Sequence, residues 1–83
     1  MVDRTTIEDA VIKSTATVSK VAPESLSVDT HFAADLQFRS VQAMKLTVLL
    51  EDEFGIKMPM ARVLKNQTLR DLVDLVEELV AAE

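Results

Sequence analysis

Asp35-Leu36-Gln37-Phe38-Arg39-Ser40-Val41 divides this chain in two. Before it lies a long segment without clear period, beginning near Lys20; after it an amphipathic run starts at once. Val41, Met44, Val48, Glu51 and Phe54 recur at helical spacing and give one face of that run and its edge. A serine directly before such a run stands at the N-cap, its oxygen near the first unpaired backbone N–H groups. Those N–H groups and the helix dipole favour an anion at the same place. The helix predicted from Ser40 closes at Phe54, with Gly55 as the C′ residue.

Upstream, the spacing of Ile7, Ala10, Val11, Ser14, Val18 and Val21 predicts a first helix over about Thr6 to Lys20. Thr5 with Glu8, or Thr6 with Asp9, can form its capping box. The β-branched residues between Ser14 and Val18 lower its intrinsic propensity, so it must lean on tertiary packing. Pro23 marks its end or a separate short turn. The segment from Ala22 to Arg39 is too long for a plain connection in a small domain. Its scattered apolar residues, among them Leu26, Val28 and Phe32, predict an ordered loop laid across a bundle, with a short turn between Thr30 and Leu36.

Downstream, Pro59 opens a short third helix through about Lys65. Thr68 with Asp71 forms an N-cap arrangement for the last helix, whose stripe is Leu69, Leu72, Val73, Val76, Leu79 and Val80. The fold class is therefore all-α: a four-helix bundle of three long helices plus a short third one, with a long loop between the first two. One domain over residues 1–83 is expected.

Composition narrows the chemistry. There is no Cys in the 83 residues, which excludes disulfides, thiolate metal sites and a Cys nucleophile. The single His31 builds no metal cluster and has no acid partner at a telling spacing. A net charge of −5 argues against general nucleic-acid binding. No apolar run approaches the roughly 20 residues of a membrane span, and the first six residues lack a signal peptide's apolar stretch. A cytoplasmic protein is the default expectation. Aliphatic residues and Met dominate the apolar content, and such a core re-packs around an inserted chain more readily than stacked rings would.

Asp35-Leu36, Ser40-Val41, Leu46, the stretch Leu50-Glu51-Asp52-Glu53-Phe54-Gly55-Ile56, and Pro59 together resemble the acyl carrier protein family. In that family an Asp-Ser-Leu motif opens helix II and a Leu-Glu-x-x-Phe-x-Ile segment closes it. The resemblance runs from Ile7 to Leu79 in helix order and spacing. It implies a carrier and not an enzyme: 4′-phosphopantetheine on Ser40, with an acyl group held as a thioester on the arm's thiol. It also implies a phosphopantetheinyl transferase and acyl-transferring and acyl-modifying enzymes of fatty-acid or related lipid or polyketide synthesis as partners, and a monomer. A phosphodiester built on Ser40 would lie at the favoured helix start, where Arg39 is a candidate phosphate contact.

The chain departs from the family where charge matters. Gln37 stands where the family usually has Gly, and Arg39 where it has Asp. Gln42 and Lys45 occupy positions that are frequently acidic, and Met60, Arg62 and Lys65 follow the proline in place of acids. Arg39, Val41, Gln42, Lys45, Met60 and Arg62 are the expected docking residues, with dedicated partners of acidic or neutral surface. Met44, Leu46, Val48, Leu50, Phe54, Leu72 and Val76 are the acyl-cavity candidates; no metal ligand is expected. Two readings compete: an aminoacyl or peptidyl carrier of a nonribosomal pathway, and an unmodified helical adaptor that binds protein through the Met44/Met60 region.

Overall fold

The computed structural model describes residues 2–82. Its long helices are α1 (Arg4–Ser19), α3 (Ser40–Phe54) and α5 (Leu69–Ala81), with the short α2 (Phe32–Leu36) and α4 (Met60–Val63) between them. No strand occurs among the described residues. The all-α expectation and its three long helices are thus met, and the long first loop gains a short helix of its own.

The core follows from three stripes that meet. α1 packs against both α3 and α5. Ile7 and Val11 of α1, Leu46 and Leu50 of α3, and Leu69, Leu72, Val73 and Val76 of α5 are almost wholly removed from water. Each such side chain contributes roughly 1.5–3 kcal/mol on burial, so the bundle does not depend on the weak intrinsic propensity of α1. That helix begins earlier than predicted, at Arg4, with Asp3 as its N-cap residue and no side-chain cap bond. Neither expected capping box forms. Instead the Arg4 guanidinium reaches Asp74 at 2.8 Å and Glu77 at 3.0 Å, fastening the start of α1 to α5.

On α3 the predicted face is inverted. Val41, Met44 and Val48 are 61%, 56% and 54% exposed. The inward side is Leu46, Thr47 and Leu50, with Ala43 and Phe54 half-buried. Both stripes have helical period; only the packing of α1 against α3 decides which of them is covered. Glu51 is also more than a solvated acid: its Oε2 accepts the Met58 N–H at 2.8 Å, tying the segment after Gly55 back onto the helix. Gly55 itself adopts φ 63°, as its C′ position requires.

The loop from Lys20 to Arg39 is ordered by the chain it crosses. A 3₁₀ turn, Pro23–Ser25, follows α1. The Phe32 N–H donates to Gln67 O at 2.9 Å, Leu69 N–H to Thr30 O at 3.1 Å and Arg70 N–H to Val28 O at 2.8 Å. Arg70 and Asp29 add an ion pair at 2.6 Å. α4 is shorter than expected, and Pro59 sits at its N-cap and not inside it.

At the start of α5 the predicted cap is present. Thr68 Oγ1 accepts the Asp71 N–H at 3.2 Å, and Asp71 Oδ2 accepts the N–H groups of Thr68 at 3.1 Å and Gln67 at 2.9 Å. The Gln67 N–H, then that of Thr68, holds the Asp71 carboxyl below its usual range. A depressed folded-state pKa means that ionised Asp71 stabilises the fold above the ordinary aspartate range. That contribution is lost as pH falls from there through the lowered value. Asp71→Asn, which keeps an acceptor but no titrating proton, is expected to show a flatter loss of stability over that acid window. Urea unfolding at a series of pH values checks this; parallel curves for both proteins would refute it.

Candidate functional site

Ser40 is placed by the turn that precedes it. α2 ends with Gln37 in the left-handed region at φ 53°, where its N–H donates to Ala33 O at 3.1 Å and the next N–H, of Phe38, to Phe32 O at 2.9 Å. This paired closure of a helix end reverses the chain sharply. The rings of Phe32 and Phe38 then meet with centroids 5.0 Å apart, which fixes the reversed segment against α2. Arg39 follows in extended conformation and α3 begins.

The N-cap is Arg39, and Ser40 is the first helical residue, one position later than the cap that the sequence pattern suggests for it. A guanidinium has no acceptor, so Arg39 cannot bond the first turn with its side chain. Gln42 supplies the other half of a box, its Oε1 accepting the Arg39 N–H at 2.7 Å. The first intrahelical bond runs from Ala43 N–H to Arg39 O at 2.9 Å. The N–H groups of the first turn therefore have no carbonyl behind them, and the exposed Ser40 stands among them.

Gln37 carries the strain of this arrangement. A residue with a Cβ costs roughly 1–2 kcal/mol in the left-handed region, and glycine removes that cost while adding some chain entropy to the unfolded state. Gln37→Gly is expected to stabilise the protein by about 0.5–1 kcal/mol, read as a Tm higher by roughly 4 °C. A lowered Tm would mean that the Gln37 side chain compensates for its backbone.

Beside Ser40 opens a cleft of about 460 Å³. Ser40 and Arg39 stand on its rim with His31, and Phe38, Leu46, Val63 and Leu72 provide its apolar wall. The segment joining α4 to α5 closes one side with Asn66 and Gln67. Of the seven cavity candidates only Leu46 and Leu72 line this cleft. Leu50 and Val76 are sealed in the core, Met44 and Val48 face outward, and Phe54 is half-buried at the far end of α3. Phe38, Ala43, Val63, Leu64, Asn66 and Gln67 line it without having been expected there. Most come from the loops, where no period marks an inward side; proximity of Phe38 to Ser40 in sequence is the one available signal.

The charges near Ser40 divide into engaged and free. Arg62 is engaged: it forms a bidentate pair with Glu78 at 2.7 and 2.9 Å, whose hydrogen bonds hold the Glu78 carboxyl below its usual range. It therefore adds little to a basic area, contrary to expectation. Among the described residues, no carboxylate pairs with Arg39 or Lys45. Val41, Met44 and Lys45 are exposed beside them, while Gln42 and Met60 are half-buried. Among the described residues no cluster of His, Asp and Glu is arranged for a metal ion, and no helix is long and apolar enough to cross a membrane.

The family described as "Phosphopantetheine attachment site" matches residues 9–76 of this chain. An acyl carrier protein of Thermosynechococcus vestitus is 36% identical over 62 residues, covering 75% of this chain and 76% of the relative. An acyl carrier protein of Rickettsia bellii is 33% identical over 72 residues, covering 87% and 84% respectively. In fold, the chain is similar to the solution structure of the 3,7-dioxo-octyl actinorhodin acyl carrier protein from Streptomyces coelicolor. The TM-score is 0.70 at 21% identity, over 96% of this chain and 92% of that one.

Proposed function

Since this chain belongs to the acyl carrier protein family, whose members are carriers and not catalysts and hold 4′-phosphopantetheine covalently, we propose that Ser40 bears the arm and that the protein delivers an acyl thioester between enzymes of lipid or polyketide synthesis. The arm, when bound, supplies a thiol on which the acyl group is held. The observation that carries this reading is the exposed Ser40 at the first position of α3, on the rim of an apolar cleft. The remaining chemistry belongs to the chain's own residues.

The open N–H groups of the α3 first turn and the helix dipole favour a phosphodiester at Ser40, and Arg39 next to it adds a positive charge. Phe38, Leu46, Val63 and Leu72 offer apolar surface in the adjoining cleft, so cargo can be withdrawn from water between encounters. Each CH₂ so buried is worth up to about 0.8 kcal/mol. Intact mass after co-expression with a broad-range transferase tests the assignment. An unmodified protein there, and again with a transferase encoded beside it, would favour the helical adaptor.

Partner choice rests on charge in this proposal. Family members in general meet a phosphopantetheinyl transferase and acyl-processing enzymes. Here the part of α3 nearest Ser40 presents free Arg39 and Lys45 with exposed Val41 and Met44, a surface suited to acidic or neutral docking patches. Within a Debye length of about 8 Å, like charges oppose encounter with the basic patches of general fatty-acid enzymes. Arg39→Asp combined with Lys45→Glu is expected to raise transfer from such an enzyme and lower transfer from the cognate one, both effects shrinking as salt increases. Responses of the same sign, or none, would place partner choice elsewhere.

A further inference from the structure

Among the described residues five large apolar side chains are exposed, and four of them stand on α3: Val41, Met44, Val48 and Leu49. Exposed apolar side chains gathered on one face mark an interaction surface, whereas scattered ones do not. This face also carries charge in a definite order. Lys45 follows Met44, and Asp52 lies one turn beyond Val48 on the same side. The two charges are thus about 10.5 Å apart along the helix. Neither has an opposite charge three or four residues away on its own helix. Among the described residues neither forms an ion pair with another element.

A stripe with a cation at one end, an acid at the other and apolar residues between them is complementary to itself when two copies run antiparallel. The midpoint between Lys45 and Asp52 falls at Val48 and Leu49, both exposed. A two-fold axis there sets Lys45 of each copy opposite Asp52 of the other, with the valine and leucine of both meeting between the two pairs. A partner surface of one sign would satisfy one charge and oppose the other. The net charge of −5 opposes approach of a second copy in general; the antiparallel alignment replaces that repulsion with two opposite-charge pairs at the contact. We propose that the exposed face of α3 docks a second copy of this chain, antiparallel and two-fold related. Three turns of a single helix give a contact on the small side for a protein interface, so the pair forms at high concentration and parts on dilution. It hides Met44 and Lys45, so self-docking and the enzyme docking proposed above exclude one another. The inference goes beyond the carrier reading and does not need an arm on Ser40.

The test uses the full chain without its arm and the single variants Lys45→Glu and Asp52→Lys, at one moderate salt concentration. Sedimentation velocity is followed from about 10 μM to about 1 mM, the range in which weak pairs form, and backbone amide shifts are read over the same range. The unaltered protein is expected to sediment faster as concentration rises, with shifts confined to α3 and centred on Val48 and Leu49. Each variant alone turns both ion pairs into repulsions, so its association should weaken at least about tenfold. Mixed in equal amounts, the two variants should associate again, because Glu at 45 of one then faces Lys at 52 of the other and the native pair forms alongside. No other arrangement predicts that recovery. An unaltered protein that stays monomeric throughout overturns the proposal and leaves the face to other proteins. Association that either variant retains, or a mixture no more associated than its components, overturns it as well. Both substituted positions are exposed, and the amide shifts of the unaltered protein decide the location of the contact even if a variant fails to fold.

Discussion

Ser40→Ala is expected to abolish attachment of the arm completely while leaving the fold in place. The loss is total because the modification needs a hydroxyl at that position and α3 offers no second one on its exposed first turn. The fold survives because nothing in the start of α3 depends on the Ser40 side chain. Arg39 is the cap residue, Gln42 Oε1 satisfies its N–H, and Ser40 is exposed at the first helical position. Alanine has the higher helix propensity, so stability should change by no more than about 0.5 kcal/mol. Intact mass reads the first half and thermal unfolding the second. A mass increment that persists in Ser40→Ala would show another attachment residue. An unfolded variant would show that the α3 start leans on this hydroxyl.

Leu50→Ala is expected to destabilise the protein by about 2–5 kcal/mol, against about 0.5 kcal/mol or less for Val48→Ala. Leu50 has 0% exposure in the core where α3 packs against α1, and truncation leaves a cavity that the packed helices cannot collapse into. Val48, two residues earlier, is 54% exposed. Total stability of a folded domain is only about 5–15 kcal/mol, so Leu50→Ala removes a large share of it. Comparable losses at both positions would restore the face that the spacing of Val41, Met44 and Val48 suggests. Denaturant midpoints at unchanged slope decide it.

That contrast shows what the order of residues could and could not convey. α5 was legible because its apolar residues fall on one side and Arg70, Asp74, Glu77 and Glu78 on the other, so only one stripe can face inward. α3 carries two apolar stripes of equal period, and which is covered depends on where α1 packs, which no local pattern names. The all-α class, Gly55 as a helix stop and the Thr68–Asp71 cap rest on nearby residues and were readable for that reason. Ser40 was readable as a helix start to within one position; that Arg39 takes the cap depends on the turn at Gln37, a left-handed residue without the glycine that would announce it. The cleft was least legible. Leu46 and Leu72 have helical periods behind them, whereas Phe38 and Asn66 sit in turns that reach the cleft because main-chain bonds such as Phe32 N–H to Gln67 O join segments far apart in sequence.

Those bonds have a kinetic consequence. The Phe32 N–H to Gln67 O, Leu69 N–H to Thr30 O and Arg70 N–H to Val28 O contacts join one loop to the start of one helix, and none closes a turn within its own segment. None can break alone without the loop lifting from the others. In D₂O the amide protons of Phe32, Leu69 and Arg70 should therefore show a common protection factor, set by a single opening, although Leu69 is buried and Arg70 exposed. That opening parts Phe32 from Gln67, two residues of the cleft wall. The shared protection of three amides thus becomes a gauge of how large a fraction of the time the space beside Ser40 is unlatched, in a protein that need carry no cargo at all.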